Sequence, residues 1–219
     1  TTTEGGESII NTCIDSYGGI DILVNNAGIL RDRMLHNMTS EEWDDVIKVH
    51  LYGVFNCSKP ATIRMRQQQS GRIINITSPT ALGGMPGQAN YGAAKAGVLG
   101  FTRVTSRELG RHGVTVNAFC PVAATRMTET LGHGGHVRMP EAEDNAAIVV
   151  YLASDAAANI NGQTIACTGS QIALYTPNPT IVQSIHKDGR WTIEELMRLI
   201  PGTLAAKISN PAPPIPSED

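Results

Sequence analysis

The stretch IDILVNNAG, residues 20–28, decides the fold. Its first six residues form a short, nearly continuous apolar run, as in a parallel strand covered on both faces. Small and amide-bearing residues follow directly, where a strand leaves a sheet and the chain turns. Upstream, Ile9, Ile10, Cys13, Ile14 and Tyr17 fall at helical spacing, and Gly18-Gly19 supply a stop. Downstream, Thr39-Ser-Glu-Glu42 is a capping box. The helix it opens is expected to run to about residue 66 and to carry Trp43, Val46, Ile47, Leu51, Val54 and Phe55 toward the core. Pro60 is expected to bend or break it. RIINITS (72–78) and VTVNAF (114–119) read as second and third strands around a long helix at 91–110. A helix at 141–153 and a fourth strand, QTIACTG (163–169), complete the alternation. Strands alternating with helices predict an α/β fold, a parallel sheet with right-handed crossovers.

The rest of the composition excludes more than it proposes. The chain has 219 residues, 41% hydrophobic and 17% charged, which suits one globular domain with an appendage. A net charge of −3 offers no basic footprint for nucleic acid or an anionic membrane. No apolar run is long enough for a membrane span. Cys13, Cys57, Cys120 and Cys167 are scattered and read as reduced thiols of a cytoplasmic protein. After Ser170 the character changes. QIALYT and IVQSIHK are candidate short strands, and Thr192-Ile-Glu-Glu195 is a second capping box opening a helix to about Ile200. This divides the chain into residues 1–170, an extension at 171–210, and a Pro-rich tail at 211–219 expected to be disordered.

Within QANYGAAKAG, residues 88–97, Tyr91 and Lys95 stand four apart at the start of a helix that leaves the carboxyl end of a strand. At 3.6 residues per turn both project from one face, toward the sheet edge where ligands bind in open α/β folds. An ammonium beside a phenol is expected to lower the phenol's pKa and make it an acid/base group. Gly92, Ala93 and Ala94 leave room for a flat ligand. A tyrosine and lysine at this spacing also arise by chance on exposed helices. Two further features bear on the choice. Ser78 lies thirteen residues before Tyr91, at the same sheet edge, where its hydroxyl can hold a carbonyl or carbinol oxygen. Asn25-Asn26-Ala27-Gly28 follows a buried strand, and its small residues let a cofactor approach closely.

Taken in order, these motifs resemble the short-chain dehydrogenase/reductase family over residues 4–170. The resemblance implies a Rossmann-like doubly wound parallel sheet and an NAD- or NADP-dependent oxidoreductase. It implies Tyr91 as proton donor or acceptor, Lys95 as the residue that lowers the tyrosine pKa and holds the nicotinamide ribose, and Ser78 as the group orienting the substrate oxygen. Asn25, Ala27 and Gly28 are implied near the ribose, with Tyr91 and Lys95. Pro121-Val-Ala-Ala-Thr125 is similar to the family's nicotinamide-side loop, although Val122 replaces its usual glycine, so only Thr125 is carried over as cofactor-binding.

NNAGILRDRM, Val49-His50-Leu51-Tyr52-Gly53 and GQANY look like a narrower group: (3R)-hydroxyacyl-CoA dehydrogenase domains of multifunctional β-oxidation enzymes. Acyl-carrier-protein ketoreductases share GQANY. The resemblance thus implies a 3-hydroxyacyl thioester or, in some bacterial members, a steroid-like substrate, with NAD favoured and a homodimer or homotetramer expected. A catalytically inactive partner subunit is the alternative of another class. His50 stands where most of the family has an asparagine that anchors a relay water; it either serves a similar relay or packs in the core. His133-Gly-Gly-His136 lacks a third ligand and makes no metal site; its glycines resemble a substrate lid. Arg126 and Arg138 are either coenzyme A phosphate contacts or solvated surface. The family's Gly-rich phosphate loop is not found in this chain, and its strands before NNAG are not either. The expectation is therefore a sheet without its first three strands, about 60–70 residues short, binding cofactor weakly.

Overall fold

In the computed structural model, which describes residues 1–124, 140–176, 180–206 and 211, the apolar runs become strands of a single sheet. Helix α1 (Thr3–Tyr17) starts where Thr2 accepts a hydrogen bond from Gly5 N. It ends at Gly18, whose φ of 80° is the left-handed stop expected of that glycine pair. Strand β1 (Ile22–Asn25) follows, and then α2 (Ser40–Ile47) opens in the expected capping box. Thr39 accepts from the Glu42 N–H, and the Glu42 carboxylate accepts from the Thr39 N–H.

The expected long helix is interrupted, though not at Pro60. Residues Lys48–Tyr52 form a π-turn, and α3 (Gly53–Gln68) then runs through Pro60. A π-turn takes up an extra residue and rotates the downstream face by about 100°. His50, four residues after the buried Val46, lies on the same inward face, while Phe55 faces outward, 46% exposed. Trp43 is also outward, at 38%; of the apolar side chains expected inside, Val46 and Val54 are fully buried.

Strand β2 (Gly71–Ile76), the one-turn α4 (Thr80–Gly83), α5 (Ala89–Leu109), β3 (Val114–Pro121), α6 (Ala146–Ala153) and β4 (Thr164–Thr168) continue the alternation. The sheet order is β1-β2-β3-β4-β5, the first four strands parallel. Strand β5 (Gln171–Tyr175) pairs antiparallel with β4, so QIALYT, expected in the extension, belongs to the sheet and to the compact unit Thr1–Pro177. The α/β fold of a Rossmann-like sheet is as expected.

Strand alternation sorts the core into two layers. Ile73 joins Ile10, Leu23, Met65 and Val116 beneath α1, α3 and α5. Its neighbour Ile74 joins Phe119, Ile148, Leu152 and Ile165 beneath α6. A buried amide chain stitches the first layer: Asn25 Nδ2 donates to Asn75 Oδ1 (2.8 Å) and to Ser58 Oγ (3.0 Å), and Asn75 Nδ2 to Thr102 Oγ1 (3.0 Å). At the sheet's end β1 leaves Ile22 and Val24 partly exposed.

In the second unit, from Asn178, the second capping box forms at Thr192 and Glu195 and opens α7 (Ile193–Leu199). Lys187 binds the Glu195 carboxylate at 2.6 Å and lies over the Trp191 ring. IVQSIHK forms no strand; Ile181 and Val182 are exposed and lie outside the sheet's ladders, so their β-branched character is not enough. The tail expected at 211–219 lies, Pro211 excepted, outside the described residues.

A Cβ on Gly71 would lie 2.5 Å from Met65 Sδ, in the first core layer. Met65→Ala is expected to cost about 2–5 kcal/mol through the cavity it leaves, and Gly71→Ala to destabilise by displacing Met65. The double variant should lose less than the sum, because the new methyl enters the vacated space. Urea unfolding of the four proteins checks this.

Candidate active site

The carboxyl ends of β1, β2 and β3 open into one cleft of about 1020 Å³. The strand-end residues Ala27, Gly28, Ser78 and Pro121 line it, and Tyr91 and Lys95 from the first turns of α5 close it.

The position of α5 is set by its two buried amide residues. Asn90 Nδ2 donates to the carbonyls of Arg31 and Glu42, both at 3.0 Å, and its Oδ1 accepts from Tyr91 N at 2.7 Å. Gln88 Nε2 donates to Asp32 at 2.9 Å, and its Oε1 accepts from Thr80 Oγ1 at 2.8 Å. The GQANY stretch therefore bolts the loop after β1 onto the start of α5, fixing the angle at which the tyrosine leaves the helix.

Lys95 is 4% exposed. Its Nζ donates to the Ile76 carbonyl at 2.7 Å, at the end of β2, leaving two N–H bonds without a protein partner. The ammonium is 5.6 Å from the Tyr91 ring centroid. Ser78 lines the same cleft as Tyr91 and acts on the phenol by drawing its pKa down, and Ser78 Oγ accepts from Thr80 N at 3.2 Å. Ser78, Tyr91 and Lys95 are thus brought together as expected.

Their electrostatics differ from the expectation in one respect. Burial pushes the Tyr91 phenol above its ordinary value, and the Ser78 hydroxyl opposes this only in part. The lysine does not invert that direction, because its own ammonium is desolvated and committed to a backbone carbonyl. Burial lowers Lys95 to about 8, with the nearby Cys120 thiol opposing. Cys120 is itself pushed up to about 11 by burial and so stays a neutral thiol.

His50 packs edge-on against Tyr91, ring centroids 5.0 Å apart at 86°. Its Nε2 lies 2.8 Å from Ile29 O and 3.1 Å from Ile29 N, so each neutral tautomer satisfies one of them. Nδ1 is buried without a partner. The imidazole is core packing that also lines the cleft. It explains Gly28 as well, since a Cβ there would stand 2.5 Å from His50 Cε1.

Of the cofactor-side residues, Ala27 and Gly28 line the cleft and Asn25 does not. Alternation along β1 decides this: Leu23 and Asn25 face the helices, whereas Val24 and Asn26 face the cleft. Reading the strand's parity would have selected Asn26. Thr125 lies outside the described residues, as do Arg126, Arg138 and the His133–His136 stretch. Among the described residues no three His, Cys, Asp or Glu side chains gather as a metal site, and no helix is long and apolar enough to cross a membrane. A nicotinamide fits the cleft beside Ala27 and Gly28, within reach of the lysine ammonium, and the cleft holds two buried polar atoms that lack a partner, His50 Nδ1 and Asn145 Oδ1.

The short chain dehydrogenase family model matches residues 1–134. The chain belongs to that family. The short-chain dehydrogenase described here is 47% identical over 174 residues to a 3-oxoacyl-[acyl-carrier-protein] reductase of Synechocystis, covering 76% of this chain and 70% of that protein. It is 42% identical over 194 residues to the hydroxyacyl-CoA dehydrogenase ChsB1 of Mycobacterium tuberculosis, covering 82% of this chain and 61% of that protein. A crystal structure of a short chain dehydrogenase from Mycobacterium avium superposes with a TM-score of 0.85 at 39% identity, covering 96% of this chain and 73% of that one. This short-chain dehydrogenase is accordingly a nicotinamide-dependent oxidoreductase.

Burial lowers His50 from 6.5 to about 4. The unfolded chain therefore binds a proton that the folded one refuses between those two values, and stability present above pH 6.5 drains away as the pH falls toward 4, by roughly 3 kcal/mol. His50→Gln should flatten this acid limb, read as the unfolding midpoint from pH 7 to pH 4.

Proposed function

We propose that the enzyme interconverts a secondary alcohol and a ketone on a 3-hydroxyacyl/3-oxoacyl thioester, using NAD. The observation that carries this reading is that Ser78, Tyr91 and Lys95 line one cleft, with the Lys95 ammonium 5.6 Å from the phenol ring. A nicotinamide, when bound, supplies or takes up the hydride. Ser78 holds the substrate oxygen by its hydroxyl, and Tyr91 Oη gives that oxygen a proton on reduction or receives it on oxidation. Lys95 holds the ribose with its two free N–H bonds and offsets negative charge developing on the phenol. Ala27 and Gly28 would make room for the ribose, and Thr125 is carried over from the family as a further cofactor contact.

Two thioester readings differ in carrier and cofactor. The relative named hydroxyacyl-CoA dehydrogenase aligns over the larger share of this chain and favours a coenzyme A ester. A second reading, a 3-oxoacyl-[acyl-carrier-protein] reductase using NADPH, is favoured by the 47% identity to such a reductase and by burial that keeps Tyr91 protonated, the form that donates. The cysteines are free, in keeping with a reducing cytoplasm. Tyr52, Phe55 and Ile63 expose apolar surface on and beside α3, in keeping with a homodimer or homotetramer, which light scattering tests.

A panel of 3-oxoacyl-CoA, 3-oxoacyl-carrier protein and steroid ketones with NADH and NADPH separates these readings. On the best substrate Tyr91→Phe is expected to lower kcat by about 10²–10⁴ with little change in KM; an unaltered rate sinks the assignment. For reduction, kcat/KM should decline as the pH rises through about 8, where Lys95 loses its charge, and remain level below it to near neutrality.

A further inference from the structure

Among the described residues, four buried side-chain polar atoms lack any hydrogen-bond partner: Arg64 Nε, Thr115 Oγ1, His50 Nδ1 and Asn145 Oδ1. The last two line the cleft. An unpaired buried acceptor costs about 1–3 kcal/mol, and a cleft is where a ligand relieves that cost. His50 Nδ1 sits beside the tyrosine already assigned. Asn145 sits on the opposite wall, on the segment between β3 and α6, and nothing in the reaction assigned so far uses it.

We propose that Asn145 is a specificity-determining residue whose Oδ1 accepts a hydrogen bond from an amide N–H of the bound ligand. This rests on the cleft being a nicotinamide and thioester site. Asn145 is 6% exposed and stands immediately before the first residue of α6. Its Nδ2 donates to the Val122 carbonyl at 3.2 Å. That bond fixes which way the amide points, since a flipped group would set oxygen against oxygen, so the atom left without a partner on this cleft-lining residue is an acceptor. Around it the wall is Pro121, Val122, Ala146 and Val149, with no charged side chain among them. A neutral donor suits this apolar wall, whereas a cation would be left without a counter-charge. The ligand's reacting oxygen is taken by Ser78 and Tyr91 on the other wall. Either ligand also carries hydroxyl donors, but the planar donor that suits this wall is an amide: the carboxamide of the nicotinamide, or the amide next to the thioester in the pantetheine arm. Both present the same planar N–H, and a flat group fits against alanine and valine.

The test is binding, independent of turnover. Wild-type chain and Asn145→Val are titrated by NMR with nicotinamide mononucleotide and with S-acetoacetyl-pantetheine. Each ligand is compared with an analogue in which the N–H is gone, the 3-acetylpyridine mononucleotide or the ester replacing the amide next to the thioester. Wild type should bind one amide ligand roughly three- to ten-fold tighter than its analogue, as one neutral hydrogen bond allows. Asn145→Val should bind that ligand and its analogue equally, and which pair loses its difference names the source. Because the comparison is made within each protein, a general weakening of the variant does not imitate the result. A discrimination that persists undiminished in Asn145→Val, or no discrimination by wild type, overturns the role of Asn145 and leaves the proposed reaction standing. Failure of wild type to bind either amide ligand saturably overturns both.

Discussion

The bond from Lys95 Nζ to the Ile76 carbonyl, 2.7 Å long, organises this molecule's working end. It joins the first turns of α5 to the last residue of β2, a strand buried along its whole length. A buried ammonium is costly unless each of its few contacts is well made, so this contact fixes the rotation of α5 about its axis. With that rotation set, the residue one turn earlier can only be where Tyr91 is, above the serine that ends the strand. The strand supplies Ser78 and the carbonyl together, so the spacing between acid, hydroxyl and ammonium is a property of one strand end and one helix face. Thr77 strengthens the same joint by donating to the Lys95 carbonyl at 3.1 Å.

Around this joint, polar residues do work that apolar packing could not. Gln88 and Asn90 hold the loop after β1 to the start of α5, and Asn25 and Asn75 hold β1 and β2 to helices α3 and α5. Amides satisfied on both donor and acceptor sides carry little cost when buried and specify one register rather than many. The cleft is held by these fixed contacts on three sides. The tyrosine is consequently desolvated before any ligand arrives, which is why its pKa moves up and not down. The loss of water also makes each later interaction in the cleft stronger.

The π-turn shows how a local irregularity can set a site. Helical periodicity read straight through residues 39–66 turns Trp43 and Phe55 inward and gives His50 no special place. The turn at Lys48–Tyr52 keeps Val54 on the face that Val46 and His50 bury, with the imidazole against the phenol and Phe55 at the surface. The side chain then dictates its neighbour, for only a glycine fits at position 28 beside it. No periodicity rule marks where a helix takes up such a residue, since the reason lies in what packs across from it.

By itself the amino-acid sequence determined the alternation of strand and helix, both capping boxes, the glycine stop after Tyr17, and the grouping of Ser78, Tyr91 and Lys95. These depend on contacts three or four residues apart, or on a strand end leading into the next helix. It gave no parity for β1, on which Asn26 and not Asn25 faces the cleft, and it placed a strand at IVQSIHK on β-branched content alone. Only the tertiary structure decided the π-turn, the addition of QIALYT as an antiparallel edge, the upward shift of the phenol and the orphaned oxygen of Asn145. Each of these follows from which groups are brought together and which are kept from water, and that is settled by residues tens of positions away.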